Sequence, residues 1–192
     1  MTLDEIYADI SAHMIKGLMV HEQFADYYDF LGLSGYRRCH EYHFFEESRA
    51  FRELSCYYIN HHNKLIPYKP VEDPKVIPFN WYGHARDDVD SSTIKNAIKT
   101  GLIKWVSWEK ETKILYERMY KELMDIGEVA SAIKIKELIC DVDSELKEAE
   151  QFYLNKEAIG YDLVSIVEEQ KPCHKKYKSK LRKCFNGKGN KV

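Results

Sequence analysis

The stretch IPYKPVEDPKVIPFNWYGHARDDVDSS, residues 66–92, decides the fold. Pro67, Pro70, Pro74 and Pro78 recur every three or four residues. Each removes a backbone donor and clashes with the preceding helical turn, so no continuous helix survives that spacing. Nothing in the chain alternates like a strand over any useful length. The stretch therefore predicts an extended crossover, long enough to travel the length of a small domain.

Working outward, the sequence on both sides has helical periodicity. Upstream, a first helix is predicted from about Leu3 to Leu31 along Ile6, Ile10, Met14, Leu18 and Ala25. A second runs from about Tyr36 to Leu65 along Tyr36, Phe44, Phe51, Leu54, Tyr58 and Leu65. Gly32 and Gly35 punctuate the join, where Ser34 offers a cap. Downstream, a third helix is predicted from Ser92 to Ile126 along Ile94, Ile98, Leu102, Trp105, Tyr116, Met119 and Leu123. Gly127 ends it, and a fourth follows at once through Ile135, Leu138, Val142, Ala149 and Phe152 to Ala158. A shorter helix, Asp162–Gln170, is expected to stop before Pro172, with a last one around Tyr177, Leu181 and Phe185.

Thirty helical residues span about 45 Å, so the elements are long rods. The short links between helices one and two, and between three and four, make antiparallel hairpins. The long link joins hairpin to hairpin. Residues 1–158 read as an all-α four-helix bundle, and residues 159–192 as a C-terminal helix and tail. An unrelated all-α bundle with a long loop is the ordinary alternative.

The composition is that of a globular domain, with 44% hydrophobic and 31% charged residues among 192. No run of eighteen apolar residues suggests a membrane span. The acidic start MTLDEIYADI is unlike a signal peptide. Five cysteines without a Cys-x-x-Cys spacing suggest reduced thiols and a cytoplasmic setting. The net charge of −2 conceals an asymmetry: from Lys171 onward there are nine Lys/Arg and no acid, leaving 20 basic against 31 acidic residues before it. Such a tail either folds back on the acidic body or meets nucleic acid or another acidic surface.

Each helix also places a glutamate among its apolar positions. Glu22 follows Leu18 by four residues, Glu47 follows Phe44 by three, Glu109 follows Trp105 by four and Glu145 follows Val142 by three. Burying a lone carboxylate costs several kcal/mol unless it is paired or neutralised, so four of them suggest a shared counter-charge. Counted from the turns, Glu22 is level with Glu47, and Glu109 with Glu145. Whether the two pairs meet depends on the crossover. His43, four residues before Glu47, is the nearest nitrogen donor, with His40 a turn further back. His21 adjoins Glu22 but points elsewhere on its helix. Glu53 and Asp141 are the substitutes if the helical phase is off by a turn.

With its two hairpins, long crossover and one acid per helix, the chain resembles the ferritin-like superfamily over residues 3–158. The resemblance implies two iron or manganese ions at mid-bundle, held by Glu22, Glu47, Glu109 and Glu145 with His43, and ferroxidase or oxidoreductase chemistry. The family's Glu-x-x-His motif is missing: the corresponding positions read Glu47-x-x-Ala50, Glu53-x-x-Cys56 and Glu145-x-x-Glu148. A cysteine replacing histidine at Cys56 implies a thiolate variant or a decayed site. The bland reading pairs the glutamates with Arg37, Arg38, Arg49 or Arg52. The competing function is a non-catalytic interaction or oligomerisation module, of the kind a phage or other mobile element encodes. Its tail would contact nucleic acid or an acidic protein surface. The expected state is a monomer or homodimer rather than an iron-storing cage.

Overall fold

A computed structural model describes residues 1–77, 85 and 89–185, with the backbone alone for Phe185. Pro78 of the crossover and Lys188 and Lys191 of the tail lie outside the described residues. Among the described residues the chain is all-helical, with no strand. The helices are α1 (Leu3–Phe30), α2 (Ser34–His62), α3 (Ser91–Asp125), α4 (Val129–Ala158) and α5 (Leu163–Phe185).

Local chemistry sets most of the boundaries. Thr2 and Glu5 form a reciprocal capping box at the start of α1. Asp90 accepts from the Thr93 N–H at 2.7 Å to start α3. Gly127, at φ +81°, ends α3 with the Glu128 N–H donating to the Leu123 carbonyl. The start of α2 is different. Ser34 is its first helical residue rather than its cap, and the cap position, Leu33, offers no side-chain acceptor. Instead Gln170 of α5 accepts from the N–H groups of Gly35 and Tyr36 at 2.8 and 3.2 Å. A Cβ on Gly35 would meet Gln170 at under 3 Å, so only glycine admits α5 this closely.

The pairing follows from contacts at opposite ends of each pair. Tyr7 meets Tyr58 and Tyr28 meets Tyr36, making α1 and α2 antiparallel. The N-terminal ammonium bonds Glu122, and the Tyr27 hydroxyl donates to the Ala97 carbonyl, so α1 and α3 are antiparallel too. His62 meets Ser131 and Tyr36 meets Phe152, which sets α4 antiparallel to α2. Helices α2 and α3 therefore run parallel, and the chain between them must return the length of the bundle. It does so along α1, with Lys64 at Asp4, Lys69 at Asp9 and Asp73 at Gln23. It reaches α3 where Lys104 donates to the Lys75 and Val76 carbonyls.

Two expectations are corrected. Helix α2 ends at Asn63, which takes a left-handed conformation, and Leu65 beyond it is 83% exposed. Helix α5 runs unbroken through Pro172 instead of stopping before it. The proline costs one backbone hydrogen bond, against which Ile166, Gln170, Tyr177 and Leu181 all bury along one side of the helix. The described part of the basic tail, residues 171–185, thus packs back on the body, and Lys176 donates to Glu148 at 2.7 Å.

The apolar core is in two parts. One holds Ile6, Tyr7, Met14, Leu54, Tyr58, Tyr116, Met119 and Leu123; the other holds Phe24, Tyr28, Tyr36, Leu102, Trp105, Ile166 and Tyr177. Between them lies a polar layer.

Candidate metal centre

The polar layer draws on all four bundle helices. From α1 comes His21, fully buried. From α2 come His40 and His43, both buried, and Glu47, whose side chain is 14% exposed. Helix α3 contributes Glu109, fully buried, and α4 contributes Glu145 and Glu148, about a fifth exposed. The two hairpins do meet here. His21 Nε2 lies 3.6 Å from Glu47 Oε1 and 3.8 Å from Glu109 Oε1. His43 Nδ1 lies 3.4 Å from Glu145 Oε1, and its Nε2 lies 3.4 Å from Glu148 Oε2.

Glu22, expected on the buried stripe, does not reach the layer. It is exposed, and His21 faces the centre in its place. Helical residues advance 100° each, so a stripe traced through Ile6, Ile10, Met14 and Leu18 at four-residue steps drifts 40° per step and leaves the core. The buried face instead passes through Met14, Gly17, His21, Phe24 and Tyr28. On α2, Phe44 and Phe51 are only half-buried, while Cys39, His40 and His43 are buried. The substitutes Glu53 and Asp141 are exposed, as is Cys140, and Cys56 lies outside the group of potential ligands. Glu46 pairs with Arg49 at the surface. Hydrophobic periodicity passes over Glu148, because it scores a charged residue as surface, and over Cys39, because it scores a cysteine as one more apolar residue.

Second partners orient the layer. His21 Nδ1 and His40 Nδ1 are 3.1 Å apart, one donating to the other, and His40 packs against Phe24 and Trp105. When His40 accepts, His21 Nε2 is left as a bare lone pair aimed at two carboxylates. Trp105 donates to Glu109 Oε1 at 2.8 Å. Gly17 makes room for Glu47, whose carboxylate occupies the space a Cβ there would fill. The Tyr177 hydroxyl of α5 donates to Glu148.

Electrostatically the layer is divided. Burial, reinforced by the Glu145 charge, pushes the Glu47 and Glu109 carboxyls well above the usual carboxylate range. Burial and the neighbouring His43 push His21 down to about 3, and burial pushes His40 well below its ordinary value. For His43 burial works the other way from its partners, but Cys39, Glu145 and Glu148 prevail and hold the imidazolium well above the usual histidine range. Glu145 and Glu148, resisting burial through His43, stay below theirs.

Among the described residues these arginines pair elsewhere: Arg37 and Arg38 bond Glu41, and Arg49 bonds Glu46. What remains are buried polar atoms without a hydrogen bond, namely His21 Nε2, Glu47 Oε2, Glu109 Oε2 and His43 Nε2. Such atoms are costly when unmatched. His21 Nε2 has Glu47 Oε1 at 3.6 Å and Glu109 Oε1 at 3.8 Å, each within the roughly 4 Å that two metal–ligand bonds of about 2.0–2.2 Å span, and ligand atoms of Cys39, His43 and Glu148 all lie within 4.8 Å of one another. The donor set of the layer thus fits a metal. Access is from the seam between α2 and α4, where a cleft of about 280 Å³ runs from Glu53 and Asp141 at its rim to His43, Glu47 and Tyr116 at its floor.

No helix among the described residues is long and apolar enough to cross a membrane, and all five cysteines are free thiols. No protein-family model, curated protein or solved structure matches the chain.

Proposed function

We propose that the protein is a ferritin-like bundle whose polar layer holds two iron or manganese ions and supports ferroxidase or oxidoreductase chemistry. The observation that carries this reading is the set of buried, hydrogen-bond-free ligand atoms from three helices, His21 Nε2, Glu47 Oε2, Glu109 Oε2 and His43 Nε2. Antiparallel hairpins joined by a return crossover support the fold assignment.

His21, Glu47 and Glu109 would hold one ion, and His43, Glu145 and Glu148 the other. When bound, iron or manganese supplies one-electron redox chemistry with dioxygen. The chain's own residues do the rest. His40 fixes the ring of His21, and Trp105 fixes one oxygen of Glu109, as outer partners of ligands commonly do. The apolar clusters above and below exclude water from the layer. The α2–α4 cleft admits a small reactant.

Metal analysis of protein purified without chelator, followed by anaerobic reconstitution, tests the reading. Two Fe²⁺ or Mn²⁺ per chain are expected, with loss of at least one in Glu109→Gln. Sub-stoichiometric Fe, Mn and Zn after reconstitution would sink it.

A second reading concerns α5. Lys171, Lys175, Lys178 and Arg182 recur at spacings of four and three, and all are exposed. This face suits nucleic acid or an acidic protein surface. Retention of the full chain on single-stranded DNA at low salt, reduced by charge reversal at Lys175, Lys178 and Arg182, is the expected result. Equal retention would dismiss it.

A further inference from the structure

A cysteine lies beside the layer, and it is not the one its spacing suggested. Cys39 is 1% exposed and sits one helical turn before His43 on α2. Its sulfur, a ring nitrogen of His43 and a carboxylate oxygen of Glu148 all lie within 4.8 Å of one another. Three different ligand types from two helices thus converge on one small volume. His43 Nε2 is buried in that volume without a well-formed hydrogen bond and lies 3.4 Å from Glu148 Oε2. On the opposite side of the ring, His43 Nδ1 meets Glu145 Oε1 at 3.4 Å. That is the arrangement of a ligating histidine whose second nitrogen is oriented by a carboxylate.

Helix α5 closes the volume from outside. The Tyr177 hydroxyl donates to Glu148 Oε1, and Lys176 donates to the same oxygen at 2.7 Å. This leaves Glu148 Oε2 as the oxygen turned toward His43. A buried thiol read only as a small core residue accounts for the sulfur's burial, but not for its convergence with an imidazole nitrogen and a carboxylate oxygen.

We propose that Cys39, His43 and Glu148 form a thiolate-bearing position that takes a thiophilic divalent cation such as Zn²⁺, Co²⁺ or Fe²⁺. The inference deepens the metal-centre reading and makes its two positions chemically unequal. His21, Glu47 and Glu109 offer one nitrogen and two carboxylates, a donor set that suits Mn²⁺ or Fe²⁺. Cys39, His43 and Glu148 add a soft sulfur, which shifts preference toward zinc, cobalt or ferrous iron. The binding step releases two protons to solvent, one from the Cys39 thiol and one from the His43 imidazolium, as the thiolate–metal and imidazole–metal bonds form. No oxidant or reductant enters.

The probe is the metal alone, added to the full chain stripped with chelator. X-ray absorption at the zinc edge of the wild-type protein needs no substitution and so survives any folding defect of a variant. One sulfur scatterer at about 2.3 Å is expected; a shell of nitrogen and oxygen only overturns the proposal. Co²⁺ should give a near-ultraviolet thiolate-to-metal charge-transfer band, lost in Cys39→Ser and retained in Glu109→Gln. Persistence of the band in Cys39→Ser overturns the assignment. Mn²⁺ binding, followed by electron paramagnetic resonance, separates this inference from the reading it rests on. Absence of bound Mn²⁺ in a wild-type chain that still shows the sulfur scatterer sinks the two-metal reading and leaves the thiolate position standing.

Discussion

Gly17 and Glu47 face each other across the α1–α2 hairpin so closely that the carboxylate fills the space a side chain on Gly17 would take. Glycine in mid-helix costs about 1 kcal/mol relative to alanine, so the exchange Gly17→Ala would ordinarily stabilise. Here it should displace Glu47 from the polar layer. The expected outcome is metal affinity reduced by tenfold or more, with the metal-free fold retained. Isothermal titration with Mn²⁺ alongside a thermal melt checks it; unchanged affinity would show that Glu47 is no ligand.

Glu109 has one oxygen held by Trp105 and one with no partner. Without metal, the buried carboxyl opposes folding at neutral pH, because its pKa is raised by burial. Glu109→Gln keeps the acceptor for Trp105 and removes the charge. The metal-free variant should melt higher, by on the order of 1 kcal/mol or about 2–4 °C, while metal binding falls. A variant that is less stable without metal and binds as before contradicts both halves.

His13 provides a pH test away from the polar layer. It stacks on Trp108 at 4.5 Å and meets the Thr112 hydroxyl at 2.8 Å. Burial, aided by Lys16, pushes it down to about 4 from 6.5. The unfolded chain therefore binds the proton more readily between those values, and stability is full above about 6.5 and falls as the pH drops toward 4. The loss attributable to His13 is on the order of 1–3 kcal/mol. Denaturant melts of wild type and His13→Gln from pH 7.5 to 4.5 should converge as the pH falls; parallel curves would exclude this group.

Gln170 supplies the cap that α2 lacks in its own sequence. Gln170→Ala leaves two buried donors without an acceptor, at a cost of about 1–3 kcal/mol. Hydrogen exchange should then accelerate at the first turn of α2 and along α5 together. Acceleration at α5 alone would mean that water replaces the lost acceptor.

Much of this architecture is legible in the chain. The proline-rich crossover, the links at Gly32 and Gly127 and the apolar repeats predict four long helices in two hairpins. Glu47, Glu109, Glu145 and His43 all belong to the polar layer. Glu22 lies off the buried face because a uniform four-residue step rotates away from it, past Gly17 and His21. His40 is legible a turn behind His43, whereas Glu148 is invisible to a pattern that equates burial with hydrophobicity, and Cys39 reads there as one more apolar residue. Gln170 acting on Gly35 is a relationship between residues 135 apart, which no local rule contains. Nor does any local rule show that α5 would pass through Pro172, since packing along its buried side decides that.

Because α5 follows the four-helix body in the chain, it also leaves the ribosome after it. Domains begin to form as they emerge, N-terminal parts first. Until Tyr177 and Gln170 arrive, Glu148 lacks its covering hydroxyl and α2 lacks its cap. The nascent protein thus passes through a stage in which the layer is assembled but uncovered along its α2–α4 side. Helix α5 then covers Glu148 and narrows that opening to the cleft between α2 and α4.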